Sequence, residues 1–347
     1  MRMSDIAKKL GLSAMTVSRA LRQDSSIAPG TRAAVLQAIA EMGYVPNQIA
    51  GSLSSRKSGF VAALVPSLNN SHFSESVIGL TDVLATRNIQ LLVGNSEYSR
   101  PREARLVREF LARKPEAMVL TCDGHAPETI AMLSRAKIPV IEMWDLPDAP
   151  IQHVVGFSNR EAMGALVRLL IARGYRKPVY LGELDDQSTR GAARRQGYLD
   201  ALAEHPHMMA RMWSIGHPPA TMSDGDKALE GILGAFPDAD LVVCVSDPLA
   251  FGVICACQRR GLVVPHDIAV AGFGDFEIAR VCVPSLTTVA ISATQIGRTA
   301  AQIILEILDQ ERGGLDKPII RPVAADPVLR DSAPGLDRAL NIRKRIV

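Results

Sequence analysis

Over the first forty-four residues the apolar positions recur at helical spacing, interrupted twice by glycine. Ser4 is placed to cap a helix running to Leu10, Gly11 breaks it, and Ser13 is placed to cap a second helix reaching about Arg22. On that second helix Val17, Ala20 and Leu21 share one face, and Ala14, Met15, Ser18 and Arg19 share the opposite one. The first face packs and the second is presented. A third helix over about 29–42 carries Val35, Ile39 and Met42 on one stripe and stops at Gly43, which closes a three-helix core.

From Gly59 the pattern changes. Short apolar runs at 60–66, 90–94, 117–121 and 139–143 read as strands, and amphipathic stretches near 74–87, 102–113 and 127–136 read as helices between them. A second cycle follows Gly156-Phe157-Ser158-Asn159, with strands at 178–182, 241–245 and 268–273. Alternation of this kind predicts doubly wound parallel sheets, and two such cycles predict two lobes around a cleft. Loops and helix N-termini converge at the carboxyl ends of parallel strands, which nominates 67–73, 121–125, 142–145, 190–194, Ser246 and Asp247 as cleft residues.

Charge sharpens the division. Whole-chain net charge is only +3, but residues 1–58 hold eight Lys and Arg against three acids, a local +5, and the remainder is slightly acidic. A basic head on a near-neutral body is the footprint of a chain that meets phosphate at one end. With 347 residues, 47% of them hydrophobic, there is material for more than one core. The opening stretch lacks an apolar h-region and no run approaches the roughly 18 apolar residues of a membrane span, so the expectation is a cytoplasmic, nucleoid-associated protein with no membrane partner. The five cysteines read as reduced core thiols, and Cys255-Ala-Cys257 lacks the further ligands of a zinc site, so no metal and no cofactor is expected.

The strings Thr16-Val17-Ser18-Arg19, Gly43-Tyr44-Val45-Pro46-Asn47 and Ala50-Gly51-Ser52-Leu53 closely resemble the headpiece and hinge of the LacI/GalR family. The resemblance continues through Arg173-Gly174-Tyr175, Gly197-Tyr198, Ser246-Asp247, Ala271-Gly272-Phe273-Gly274-Asp275 and Pro284-Ser285-Leu286-Thr287-Thr288, nearly the whole chain. It implies a three-helix helix-turn-helix headpiece over 1–45, a hinge helix and linker over 46–58, and a bilobed periplasmic-binding-protein-like body over 59–330. The lobes are expected to comprise about 59–157 plus 276–292, and 158–275 plus 293–330, followed by a loose basic tail over 331–347 without leucine heptads.

What the resemblance implies is a homodimeric repressor that binds double-stranded operator DNA under the control of a small effector. Arg19 matches the recognition-helix arginine and has the fork that pairs with guanine, while Ala14 and Met15 read thymine methyls and shape. Ser4, Ser13, Thr16, Ser18 and Thr31 are short donors for phosphate oxygens, or simple helix caps. Asn47 and Ala50 belong to the hinge, and Leu53 matches the leucine wedged into the minor groove. Where relatives cap the third helix with serine or threonine, this chain has Ala28.

For the effector, Arg194 matches the arginine placed over the ligand, Ser246 an asparagine position and Phe73 the apolar wall beneath. Ser67, Ser71, Thr121, Glu142, Asp145, Arg190 and Asp275 complete the candidate set, with His72 and His125 as loop histidines that are more often solvated. Gly274 stands where relatives that bind neutral sugars present an aspartate, and Arg190 adds a second cation, so a sugar acid such as gluconate or a ketogluconate is expected. The run 138–145 also looks more like the gluconate-operon repressor branch than the lactose or purine branches.

Enzymatic readings fail on missing parts. The Gly-x-Gly in Ala271–Asp275 lacks the third glycine and a following nucleotide-binding helix, and there is no Walker lysine, Gly-x-Ser-x-Gly elbow or metal-spaced His/Glu pair. A periplasmic solute-binding protein would share the body but need a signal peptide and have no use for the basic head.

Overall fold

Ser13 sets the second helix of the head: its Oγ accepts from the Thr16 backbone N–H at 3.0 Å, and Ala14–Leu21 (α2) follows. The computed structural model describes residues 2–21, 26–44, 58–185, 188–310 and 317–336. α1 (Met3–Leu10) begins two residues earlier than a Ser4 cap implies. Ser4 lies inside its first turn and is not the cap; Asp5 closes the end instead, accepting from the Arg2 N–H at 2.7 Å. α3 (Pro29–Met42) starts from Ala28 without a side-chain cap, because Pro29 fixes the helical φ and has no N–H to satisfy. Gly11 and Gly43 end α1 and α3 in the left-handed conformation. Ile6, Ala7, Val17, Ala20, Val35 and Ala38 form the buried core of the head, with Ile39 and Met42 packed at its edge.

The body's first sheet runs β11-β5-β4-β3-β1-β2, all parallel: β1 (Phe60–Val65), β2 (Gln90–Asn95), β3 (Met118–Thr121), β4 (Val140–Met143), β5 (His153–Gly156) and β11 (Ile320–Pro322). Val61, Ala63 and Val65 point into one apolar cluster and Ala62 and Leu64 into another, so both faces are covered and the strand reads as a continuous apolar run. The connecting helices are α4 (Ser71–Ala85), α5 (Arg100–Ala112) and α6 (Pro127–Arg135). A second parallel sheet has the order β7-β6-β8-β9: β6 (Pro178–Gly182), β7 (Arg211–Ser214), β8 (Leu241–Cys244) and β9 (Ala269–Ala271). Around it lie α7 (Asn159–Ala172), α8 (Thr189–Ala203), α9 (Met222–Ala235), α10 (Asp247–Arg259) and α11 (Glu277–Val281).

The returns between lobes differ from expectation. Residues 276–291 stay with the second sheet, where Thr287 bridges Ala271 and Ala290 bridges Gly274. α12 (Ala293–Asp309) instead packs on α4 of the first lobe, and β11 extends the first sheet beside β5. The reason is α12's apolar face, Ile296, Ala300, Ala301, Ile303, Ile304 and Ile307, which meets α4 closely because Gly297 and Gly79 lack the side chains that would strike the opposing backbone. β12 (Ala325–Val328) then pairs antiparallel with β10 (Thr288–Ile291).

The start of the supposed loose tail is also fixed. Ser332 is buried, its Oγ donating to the Val270 carbonyl at 2.6 Å and accepting from the Thr287 N–H at 2.8 Å. The rest of the tail, 337–347, lies outside the described residues.

Candidate functional site

Between the lobes the carboxyl ends of the strands enclose a cavity of about 80 Å³. Asn70, His72, Phe73, Tyr98 and Trp144 face it from the first lobe. From the second come Glu183, Ser188, Arg190, Gly191, Arg194 and Ser246, with Phe273, Gly274 and Phe276 closing one side.

Two arginines one helical turn apart on α8 dominate its chemistry. Arg194 stacks over the Phe273 ring at 3.9 Å, donates from Nε to Asn159 Oδ1 at 2.8 Å and from Nη1 to the Val245 carbonyl at 2.9 Å. Asn159 is itself oriented by the bond from its Nδ2 to the Trp144 carbonyl. These bonds fix the guanidinium and leave further N–H groups for a ligand. Burial, together with the neighbouring Arg190 charge, lowers Arg194 to about 10, and it remains a cation at neutral pH. Arg190 lies over the Phe73 ring at 5.2 Å, donates from Nη2 to Asp123 Oδ2 at 3.3 Å, and has a buried Nε without a partner.

Aromatic rings line the first-lobe side. His72 stacks on Phe276 with 3.7 Å between centroids and on Trp144 at 5.4 Å; burial and then the Arg194 charge bring it down to about 3, so the imidazole is neutral. Asp247, which burial pushes up to about 7, holds this arrangement from behind: it accepts from the Phe276 N–H at 2.9 Å and from Thr288 Oγ1 at 2.6 Å. Burial also raises the Glu183 carboxyl, favouring its neutral form.

Of the residues nominated from sequence, the structure places Phe73, Arg190, Arg194 and Ser246 on the cavity wall, with His72 beside them. Ser67, Ser71, Thr121, Glu142, Asp145 and Asp275 lie outside the lining, for separate reasons. Ser67 accepts from the Asn69 N–H within its own loop, and Ser71 is the first residue of α4, whose cap is Asn70, its side chain accepting from the His72 N–H. Thr121 donates back to the Leu64 carbonyl. Glu142 accepts from the Ile151 N–H at 2.6 Å and faces buried His125, which also meets Glu103 at 2.9 Å. Asp145 accepts from the Leu146 N–H, and Asp275 is held between Arg280 and Arg330.

Glu183, Tyr98, Trp144, Phe273 and Phe276 were not singled out from sequence. Trp144 lay inside a nominated loop, but its φ of 81° breaks the strand's alternation, so counting alternate positions could not assign its indole. Glu183 comes directly after β6 and Phe276 five residues after β9, both past the last strand position, where sequence carries no periodicity to read.

On the head, the presented face of α2 is as expected from spacing. Met15 is 64% exposed, Ala14 and Arg19 are exposed, and Val17 and Ala20 are buried beneath them. Ser13 and Thr16 share a hydroxyl pair at 2.8 Å; Ser4 is exposed, and Ser18 and Thr31 are half-buried. Asn47, Ala50 and Leu53 lie outside the described residues. Among the described residues no helix is long and apolar enough to cross a membrane, and no cluster of metal-binding side chains occurs.

Comparison with known proteins accounts for both parts. Residues 2–47 match the model for bacterial regulatory proteins of the lacI family, and 167–333 match a periplasmic binding protein-like domain. The chain is 35% identical to the HTH-type transcriptional regulator IdnR of Escherichia coli over 306 residues, 87% of this chain and 90% of IdnR. It is 34% identical to the HTH-type transcriptional regulator GntR of Pseudomonas aeruginosa, across 88% of this chain and 89% of that one. A crystal structure of a LacI-family transcriptional regulator from Silicibacter pomeroyi superposes with a TM-score of 0.88 at 29% identity, covering 96% of this chain and 99% of the other. With identity above 30% sustained over most of both chains, and with the head and body matched separately, this chain belongs to the lacI family of bacterial regulatory proteins, as a DNA-binding transcriptional regulator.

Proposed function

We propose that the chain is a homodimeric operator-binding repressor whose DNA affinity is set by a small polyhydroxy acid held in the cleft, with gluconate or a ketogluconate as the leading candidate. The observation that carries the choice of ligand is a set of buried polar atoms around one cavity, Arg190 Nε, Trp144 Nε1, Ser246 Oγ and Glu183 Oε2, none with a hydrogen-bond partner. Buried polar groups are ordinarily satisfied, so their clustering here specifies what a ligand must bring. Arg190 and Trp144 supply only donors and call for an acceptor; beside Arg194 that acceptor is best a carboxylate, because charge-assisted bonds to guanidinium are the strong ones. Ser246 and Glu183 suit hydroxyls, and the His72, Phe73 and Trp144 rings offer apolar faces to the carbon chain. A neutral sugar would bring Arg194 no anionic partner, at a cost in desolvated charge, whereas Arg190 already has Asp123.

On the head, Arg19 would read a guanine edge in the major groove and the hydroxyl residues would set the register on phosphates. One short helix reads few base pairs, so a dimer is needed to reach useful specificity. Closure of the lobes around the acid is the two-state element that both sites bias.

Calorimetry with gluconate, ketogluconate, galactose and hypoxanthine tests the ligand: tight binding of galactose or hypoxanthine with no response to the acids would refute the sugar-acid assignment. Removing residues 1–58 tests the head, since operator binding should be lost; in the intact chain that binding should fall steeply with salt, by about −0.9 in log K per log salt for each neutralised phosphate.

A further inference from the structure

Asp123 stands on the loop after β3, in the first lobe, yet it bonds Ser188, Thr189 and Arg190 at the start of α8, in the second. Its Oδ1 accepts from Ser188 Oγ at 3.0 Å, from the Thr189 backbone N–H at 3.0 Å and from Thr189 Oγ1 at 3.4 Å; its Oδ2 accepts from Arg190 Nη2 at 3.3 Å. Both ends of the ion pair are nearly inaccessible, with side chains 13% and 7% exposed. Next to it Gly124, at φ +71°, lets the loop come so close that a Cβ there would lie 2.7 Å from Thr189 Cγ2. Ser188, Arg190 and Gly191, from the same turn of helix, form part of the cavity wall.

We propose that Asp123 is a positioning residue for the cavity: reaching across from the first lobe, it holds the first turn of α8 and the Arg190 guanidinium in place, so that effector affinity depends on the lobes being drawn together. The carboxylate acts as an N-terminal ligand of a helix in the other lobe, where backbone N–H groups and the helix dipole favour a negative charge. With the bonds made, Arg190 is held in the cavity wall with its buried Nε unpartnered. With them broken, the closed arrangement is less populated, and apparent affinity falls by the fraction that remains competent.

The inference builds on the sugar-acid reading, and it has a sign that simple electrostatics reverses. Removing a negative charge beside a cavity that binds an anion should tighten binding. Removing a latch should weaken it.

The test compares the full-length protein with Asp123→Ala and the near-isosteric Asp123→Asn, by hydrogen exchange across 188–191 and by calorimetry with gluconate. In Asp123→Ala the Thr189 amide should lose protection while β6 and α7 keep theirs, and gluconate should bind about ten-fold or more weakly. Asp123→Asn keeps an oxygen acceptor for Ser188 and Thr189 and should fall between the two. Unchanged exchange at 188–191 in Asp123→Ala, or gluconate affinity equal to or tighter than wild type, would overturn the proposal. If the wild-type protein binds neither gluconate nor ketogluconate, the sugar-acid reading fails by itself, and the exchange comparison alone decides the latch.

Discussion

Replacing Arg194 by alanine should do two separable things. The first is to binding. A hydrogen bond to a charged group is worth about 1.5–3 kcal/mol, so losing the guanidinium should weaken gluconate about ten- to one hundred and fifty-fold. The second is to stability, because Arg194 is also part of the fold. Its removal strips donors from Asn159 Oδ1 and the Val245 carbonyl and takes a cation from above Phe273. An orphaned buried acceptor costs about 1–3 kcal/mol, and relief from burying a charge and entry of water into the cavity offset part of that. A net loss of about 2 kcal/mol is expected, which for a body of this size lowers Tm by roughly 3–4 °C. Arg194→Lys keeps a charge but not a fork, so it should recover some affinity and little of the stability. Titration calorimetry reads the first effect and scanning calorimetry without ligand the second. A folded Arg194→Ala protein whose gluconate Kd stays within about two-fold of wild type would refute the assignment of the arginine to the ligand. An unchanged Tm would refute the structural half.

Arg19→Ala should cost about 1–3 kcal/mol on operator DNA and relax preference at one base position; equal loss on operator and random DNA in a mobility-shift titration would reassign it to a phosphate contact. His125 is buried, which alone would lower it, but hydrogen bonds and charge from Glu103 and Glu142 outweigh that and raise it from 6.5 to about 9. The folded protein therefore holds this proton more tightly than the unfolded chain does, so the stabilisation is complete below pH 6.5 and is lost as pH rises through about 9. Denaturant titrations across that window should show stability falling, with a shallower fall in His125→Gln; the same slope in both would discount the triad. Gly274→Ala should destabilise by about 1–3 kcal/mol, because a Cβ there meets Phe276 and His72 at 2.6 and 2.7 Å and φ is +135°. A Tm equal to wild type would show that the ring stack yields freely.

Much of this protein was determined by its sequence alone. The head follows from local rules: Ser13 and two glycines punctuate the helices, and a 3.6-residue period separates Val17 and Ala20 from Met15 and Arg19. The parallel sheets follow from apolar runs such as Phe60–Val65, which only a strand covered on both faces requires. Arg190 and Arg194 were legible because they open the helix that follows a strand end, and Arg194 because it also matches the arginine that the family places over the ligand. Tertiary structure decided the rest. Which lobe receives α12 depends on where a long apolar face finds its partner, and Gly79 and Gly297 make that partner α4, far away in sequence. The roles of the carboxylates were decided in the same way. Glu142, Asp145 and Asp275 look as suited to a ligand as Glu183 and Asp123 do, but a carboxylate's role is set by which donors come within 3 Å of it. Ile151, Leu146 and Arg330 reach the first three, whereas Asp123 meets the opposite lobe and Glu183, on the cavity wall, keeps a buried oxygen without a partner. Such pairings join distant strand ends, and no local periodicity encodes them.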